Sequence, residues 1–125
     1  MRDHNKLRAF ELADEIVFLI YQITRNFPKA ELYGLTSQMR RSAISVPSNI
    51  VEGCARESQT EYLRFLEIAF GSLRELHYQF ELAVRLGYTN GVDIAGTAPF
   101  SLAYGARTWT ICRRSGAIMA GIDCY

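Results

Sequence analysis

Three cysteines and two histidines are too few and too scattered to build a metal centre in this 125-residue chain. Cys54, Cys112 and Cys124 form no C-x-x-C pair, and His4 and His77 supply no ligand spacing. The thiols therefore read as unpaired groups of a reducing compartment. No charge sign dominates either: 14 basic and 13 acidic residues leave a formal net charge of +1, with no overall attraction to nucleic acid or to an anionic membrane. Any such contact must come from a local patch. No stretch reaches the roughly 18 uninterrupted apolar residues of a spanning helix, and the opening Met1 to Lys6 lacks the apolar region of a secretory signal. The expectation is a cytoplasmic protein without membrane contact. The glycine motifs that cradle phosphates, G-x-x-x-x-G-K-S/T and G-x-G-x-x-G, are absent as well.

What is present is globular. Hydrophobic residues make up 49% and charged residues 22%, and the length suits a single domain over residues 1–125. From Lys6 to Asn26, Phe10, Ala13, Ile16, Val17, Ile20, Tyr21 and Thr24 recur at spacings of three and four, the signature of a helix face. A second stripe of Leu12, Ile16, Leu19 and Ile23 widens the apolar surface beyond what one neighbour covers. Phe27-Pro28-Lys29 closes this helix, because Pro28 restricts the residue before it and has no N–H to donate.

A second helical pattern starts near Leu32 and runs through Leu35, Met39, Ser42, Ala43, Val46, Ile50 and Gly53, with small residues on its inward face. Pro47 costs roughly 3 kcal/mol in a helix interior, so a kink or break is expected near Ser45. Gly53 and Ala55 to Ser58 mark the next turn, and Ser58 with Glu61 fits a capping box. The third helix then carries Tyr62, Phe65, Ala69, Leu73, Leu76, Phe80, Ala83 and Leu86 as its core stripe, and Gly87 stops it. Leu63, Leu66, Phe70 and Tyr78 add apolar surface beside that stripe. After Thr89 the period is lost, with glycines at 91, 96, 105, 116 and 121 interrupting every short candidate, so this tail is expected to be mostly irregular.

Catalytic chemistry finds no footing in these residues. Glu52, Glu57, Glu61, Glu67, Glu75 and Glu81 read as charges on solvated helix faces, not as carboxylates placed across a cleft. Cys54 and His77 belong to no nucleophile motif. The protein is expected to be non-enzymatic, with no cofactor and no small-molecule substrate. The most informative stretch is Gln38 to Gly53 followed by Arg56. In one reading Arg41, Asn49 and Glu52 bond across a helix interface and fix its register. In the other, Arg40, Arg41, Arg56 and Arg64, joined by Arg25 and Lys29, form a basic patch that holds phosphates through planar guanidinium forks.

Phe27-Pro28, Glu31-x-Tyr33-Gly34-Leu35, Gln38-x-Arg40-Arg41-Ser42-Ala43, Ser45-Val46-Pro47-Ser48-Asn49-Ile50-x-Glu52-Gly53 and Phe65-Leu66-x-Ile68-Ala69-x-Gly71-Ser72-x-x-Glu75-Leu76 together resemble the 23S rRNA intervening-sequence protein family of bacteria. The resemblance covers about Lys6 to Tyr88 and rests on Gln38, Asn49, Glu52, Gly53 and Glu75 among others. It implies an all-α, antiparallel, up-and-down four-helix bundle. It also implies likeness to a retroelement accessory protein that assembles as a homopentamer and binds nucleic acid and a reverse transcriptase. The family has a fourth amphipathic helix that residues 91 to 125 do not match. Two accounts of the tail stand open: a shift of coding frame near Asn90, or a replacement that packs Phe100, Leu102, Tyr104, Trp109, Ile111 and Ile118 over the open face of the helices. Three functions follow. They are a homo-oligomeric scaffold binding RNA or a nucleic-acid-processing partner through its arginines, a protein-interaction scaffold with no nucleic-acid role, and a vestigial insertion-encoded product.

Overall fold

The apolar stripes become three long helices: α1 (Arg8–Thr24), α2 (Leu35–Cys54) and α3 (Gln59–Arg85). The computed structural model describes residues 1–90, and there is no strand among them; what was expected of Gly91 to Tyr125, including Cys112 and Cys124, lies outside the described residues. Contacts run antiparallel through the bundle. Arg40 of α2 meets Tyr21 and Thr24 at the end of α1, while Gly53 of α2 lies against Tyr62 and Phe65 at the start of α3, and Ser45 meets Ser72 further along. The middle place belongs to α2, which packs on both of its neighbours, most extensively on α3. Ile20, Met39, Ala43, Ile50, Ala69, Leu76 and Ala83 are completely buried between the helices.

The first helix begins two residues later than its period suggests. Asp3 accepts the Asn5 N–H at 3.0 Å and caps a short 3-10 turn, His4–Lys6, after which Leu7 is extended and buried. The start of α2 shifts too, from Leu32 to Leu35. Pro28 leads into a second 3-10 turn, Lys29–Glu31, and the Glu31 carboxylate then accepts the Leu35 N–H at 2.8 Å. Gly34, at the N-cap, has no side chain to do this; a Cβ there would lie 2.7 Å from Glu31 Oε2. Leu32 is left exposed.

No break occurs at Pro47. The helix continues from Leu35 to Cys54 with Pro47 buried inside it. The proline removes one ladder bond, to the Ala43 carbonyl. Burial of Met39, Val46 and Ile50 on either side, worth about 1.5–3 kcal/mol per side chain, outweighs that loss. Gly53 belongs to the last turn of α2 and not to the connection. Its missing side chain lets the helices close up, since a Cβ would lie 2.9 Å from Phe65 Cβ and 3.3 Å from the Tyr62 carbonyl oxygen.

At the start of α3, Ser58 Oγ accepts the Glu61 N–H at 3.4 Å, which is half of a capping box; the Glu61 carboxylate turns instead to Arg64. The far end closes with Gly87 at φ +78°, its N–H bonded to the Val84 carbonyl and that of Tyr88 to the Ala83 carbonyl, each at 3.0 Å. This double bond pattern needs a left-handed residue, which glycine supplies without strain. Leu86, counted in the core stripe from its spacing, is the C-cap and is exposed. Tyr88 then packs its ring on Phe27 at 5.5 Å and donates its hydroxyl to Glu31 Oε1 at 3.2 Å. One carboxylate thus starts α2 and anchors the end of α3.

The surplus apolar stripes divide. Ile16 and Leu66 are core residues, whereas Leu12, Leu19, Ile23, Leu63 and Phe70 are half-buried and Tyr78 is exposed.

Candidate nucleic-acid interface

The turn between α2 and α3 gathers arginines around two aromatic rings. Arg56 lies just past the end of α2, one turn from Glu52, and pairs with its carboxylate at 3.1 Å. Arg64, in the first turns of α3, bonds Glu61 Oε2 through Nε and Nη2 at 3.2 and 3.0 Å. Both guanidinium groups lie over the Phe65 ring, at 5.0 Å for Arg56 and 4.8 Å for Arg64. A third guanidinium, that of Arg2, sits 4.1 Å from the centre of the Tyr62 ring and donates to the Arg56 carbonyl at 3.1 Å. The Arg2 N–H also bonds the Cys54 carbonyl at 2.9 Å, meeting an acceptor that the end of α2 leaves open.

Stacking on an aromatic face holds a guanidinium in place through its charge and its flat shape. Arg56 and Arg64 nevertheless remain exposed, so their N–H edges are open to an incoming anion. Acids temper the site: Glu52, Glu57 and Glu61 share this end of the bundle, and the Arg64 guanidinium holds Glu61 below the usual carboxylate range. Burial pushes the nearby Cys54 thiol up, which keeps it protonated and unreactive.

The four arginines singled out in the sequence do not converge. Arg56 and Arg64 come together, but Arg40 lies 16 positions before Arg56, about 24 Å along the helix axis. There it ties α2 to α1. Its Nε donates to Thr24 Oγ1 at 2.9 Å, its guanidinium covers the Tyr21 ring at 4.6 Å, and the buried Thr24 hydroxyl itself donates to the Ile20 carbonyl at 2.6 Å. Arg41 is exposed and makes no hydrogen bond or ion pair among the described residues. Arg25 and Lys29 are exposed at the Arg40 end. Arg2 escaped the sequence reading because it lies outside any helical period, and only the fold returns it to residues 54–62.

Cys54 is buried near Tyr62, about four turns of α3 away from His77, so thiol and imidazole do not meet. Among the described residues no group of three His, Cys, Asp or Glu side chains is placed to hold a metal ion, and no helix is long and apolar enough to cross a membrane.

The sequence profile of the 23S rRNA-intervening sequence protein family matches residues 5–97, which takes in all three helices and every motif named above. The chain belongs to that family. No curated protein matches it.

In this intervening-sequence protein the motif residues have local structural work. Asn49 donates its amide to the Ser45 carbonyl and hydroxyl at 2.8 and 3.0 Å, and Ser45 shares a 2.8 Å hydroxyl bond with Ser72 across the α2–α3 seam. Asn49 therefore reaches the interface through Ser45. Glu52 pairs with Arg56 on its own side of the seam, and Arg41 spans no interface, so the expected cross-helix trio reduces to the Asn49–Ser45–Ser72 chain. Glu75 is exposed and accepts from Gln79 at 3.3 Å; Gln38 is exposed.

Proposed function

We propose that this protein is a non-enzymatic, homo-oligomeric helical bundle that binds structured RNA, or the RNA of a ribonucleoprotein, through Arg2, Arg56 and Arg64. The observation that carries the reading is the cluster itself: two guanidinium groups over Phe65 and a third over Tyr62 at one end of the fold. Side chains held in advance lose less freedom on binding, and a guanidinium fork matches two oxygens of a phosphate. Repetition of the cluster in an oligomer raises the local positive density that a single, nearly neutral chain lacks. Membership of the 23S rRNA-intervening sequence family agrees with an RNA partner.

The test is anisotropy of a fluorescent RNA hairpin titrated with the full chain at several salt concentrations. Affinity should fall linearly on a log–log plot, and each phosphate contact removed should flatten the slope by about 0.7–0.9. Arg56→Ala with Arg64→Ala should flatten it, and Arg40→Ala should not. Absent or salt-insensitive binding removes the proposal. A second reading, a protein-interaction scaffold without RNA, draws on the half-buried stripes of Leu12, Leu19 and Ile23 on α1 and Leu63 and Phe70 on α3. Partner capture that survives nuclease treatment favours it.

A further inference from the structure

Phe18 is 66% exposed in the middle of α1, among charged neighbours that give it no cover. It is three residues from Tyr21, and Ile44, 42% exposed, is four residues from Arg40. Tyr21 and Arg40 touch each other across the α1–α2 seam. Side chains three and four apart share a helix face. Phe18 and Ile44 therefore flank the same outer seam at the same level, with Val51 further along it.

Charge on this face is sorted along its length. Beyond Phe18 toward the start of α1 lie Asp14 and Glu15, exposed and in no ion pair among the described residues. Toward the other end lie Arg25 of α1 and Arg41 of α2, equally exposed and equally unpaired among the described residues. Arg40 joins them, half-buried. The order is acid, apolar centre, base. Turned end for end by a two-fold rotation, such a face is its own complement. Acidic ends meet basic ends, and the exposed rings and aliphatic chains at the centre leave water together.

We infer that this α1–α2 face is a self-association surface, on which a second copy packs antiparallel with Phe18 and Ile44 at the centre. The inference rests on the homo-oligomeric part of the proposed function and gives it a surface. That surface is separate from the Arg2, Arg56 and Arg64 cluster, because the arginines at the two ends of α2 are far apart.

Light scattering and sedimentation of the full chain across micromolar concentrations read the outcome. The expected mass is two copies or an even multiple. Phe18→Asp and Ile44→Asp, both at exposed positions, should raise the dissociation constant at least tenfold while the helical circular dichroism stays unchanged. Asp14→Lys with Glu15→Lys should weaken association, Arg25→Glu with Arg41→Glu should do the same, and the four changes together should restore it. A monomer at all concentrations, an odd-numbered assembly, or a mass indifferent to Phe18→Asp overturns the inference. RNA binding is scored separately: loss of hairpin binding in the Arg56 and Arg64 variants with association intact bears on the cluster alone.

Discussion

Gly53→Ala gives the sharpest test of the packing between α2 and α3. An added methyl would lie 2.9 Å from Phe65 Cβ, 3.3 Å from the Tyr62 carbonyl oxygen and 3.4 Å from Tyr62 Cδ2. The first two contacts involve a Cβ and a backbone atom, which cannot swing aside as a flexible chain end does, so the helices must move apart. Overpacking of this kind costs about 1–3 kcal/mol. Alanine returns at most about 1 kcal/mol over glycine in helix propensity, and less at the last turn of a helix. The clash wins, with a net loss of about 1–2 kcal/mol. In urea unfolding followed by circular dichroism this is a midpoint lower by roughly 1 M, taking a slope near 1.5 kcal/mol/M. Gly71→Ala is the internal control: a Cβ there meets nothing within 4 Å, so propensity acts alone and stability should rise by about 0.5–1 kcal/mol. If Gly53→Ala matches or exceeds the wild-type midpoint while Gly71→Ala behaves as described, the close approach of the two helices at Gly53 is wrong.

Other consequences are as direct. Gln79 is 6% exposed, and its Oε1 is buried without a partner. An unmet buried acceptor costs about 1–3 kcal/mol, so Gln79→Leu should leave stability unchanged or raise it, and a lowered denaturation midpoint would contradict this. Glu31→Ala removes both the bond to the Leu35 N–H and the acceptor for the Tyr88 hydroxyl. A loss of about 1–2 kcal/mol, as for other helix caps, should come with faster amide exchange at Leu35 and Tyr88; unchanged exchange at both sites refutes the anchoring role. Glu61 is held below the usual carboxylate range by its bonds to Arg64. In the folded state it therefore takes up its proton at lower pH than in the unfolded chain, so the stability it adds is present above the unfolded value and is lost as pH falls through the folded one. Carboxyl-carbon NMR should record an upward shift of the Glu61 titration in Arg64→Ala, and no shift would break the assigned pairing.

The family motifs and the helix periods were both legible in the sequence, and for one reason: each is local. Ile16 and Ile20, Ala43 and Ile50, Ala69 and Leu76 sit at spacings of three, four and seven that one helix face dictates. Ser58 and Gly87 mark the ends of α3 because a capping hydroxyl and a left-handed turn act within a few residues. The start of α2 misled because its cap is Glu31, four residues upstream in a turn that periodicity does not describe. Pro47 misled because a propensity measured on exposed helices omits the burial on either side of it. The arginine patch was drawn from neighbours in sequence, yet an extended run of helix separates Arg40 from Arg56.

What the sequence determined by itself is therefore three amphipathic helices, their family and the small residues that let two of them approach, since all of these follow from side-chain type and spacing along one chain. Only the tertiary structure decided which charges meet. It brought Arg2 onto Tyr62 beside Arg56 and Arg64, spent Arg40 on Thr24 and Tyr21, and left Phe18 and Ile44 uncovered on one seam. Such contacts depend on the register of one helix against another, which is set by how the interdigitating side chains fill the shared core.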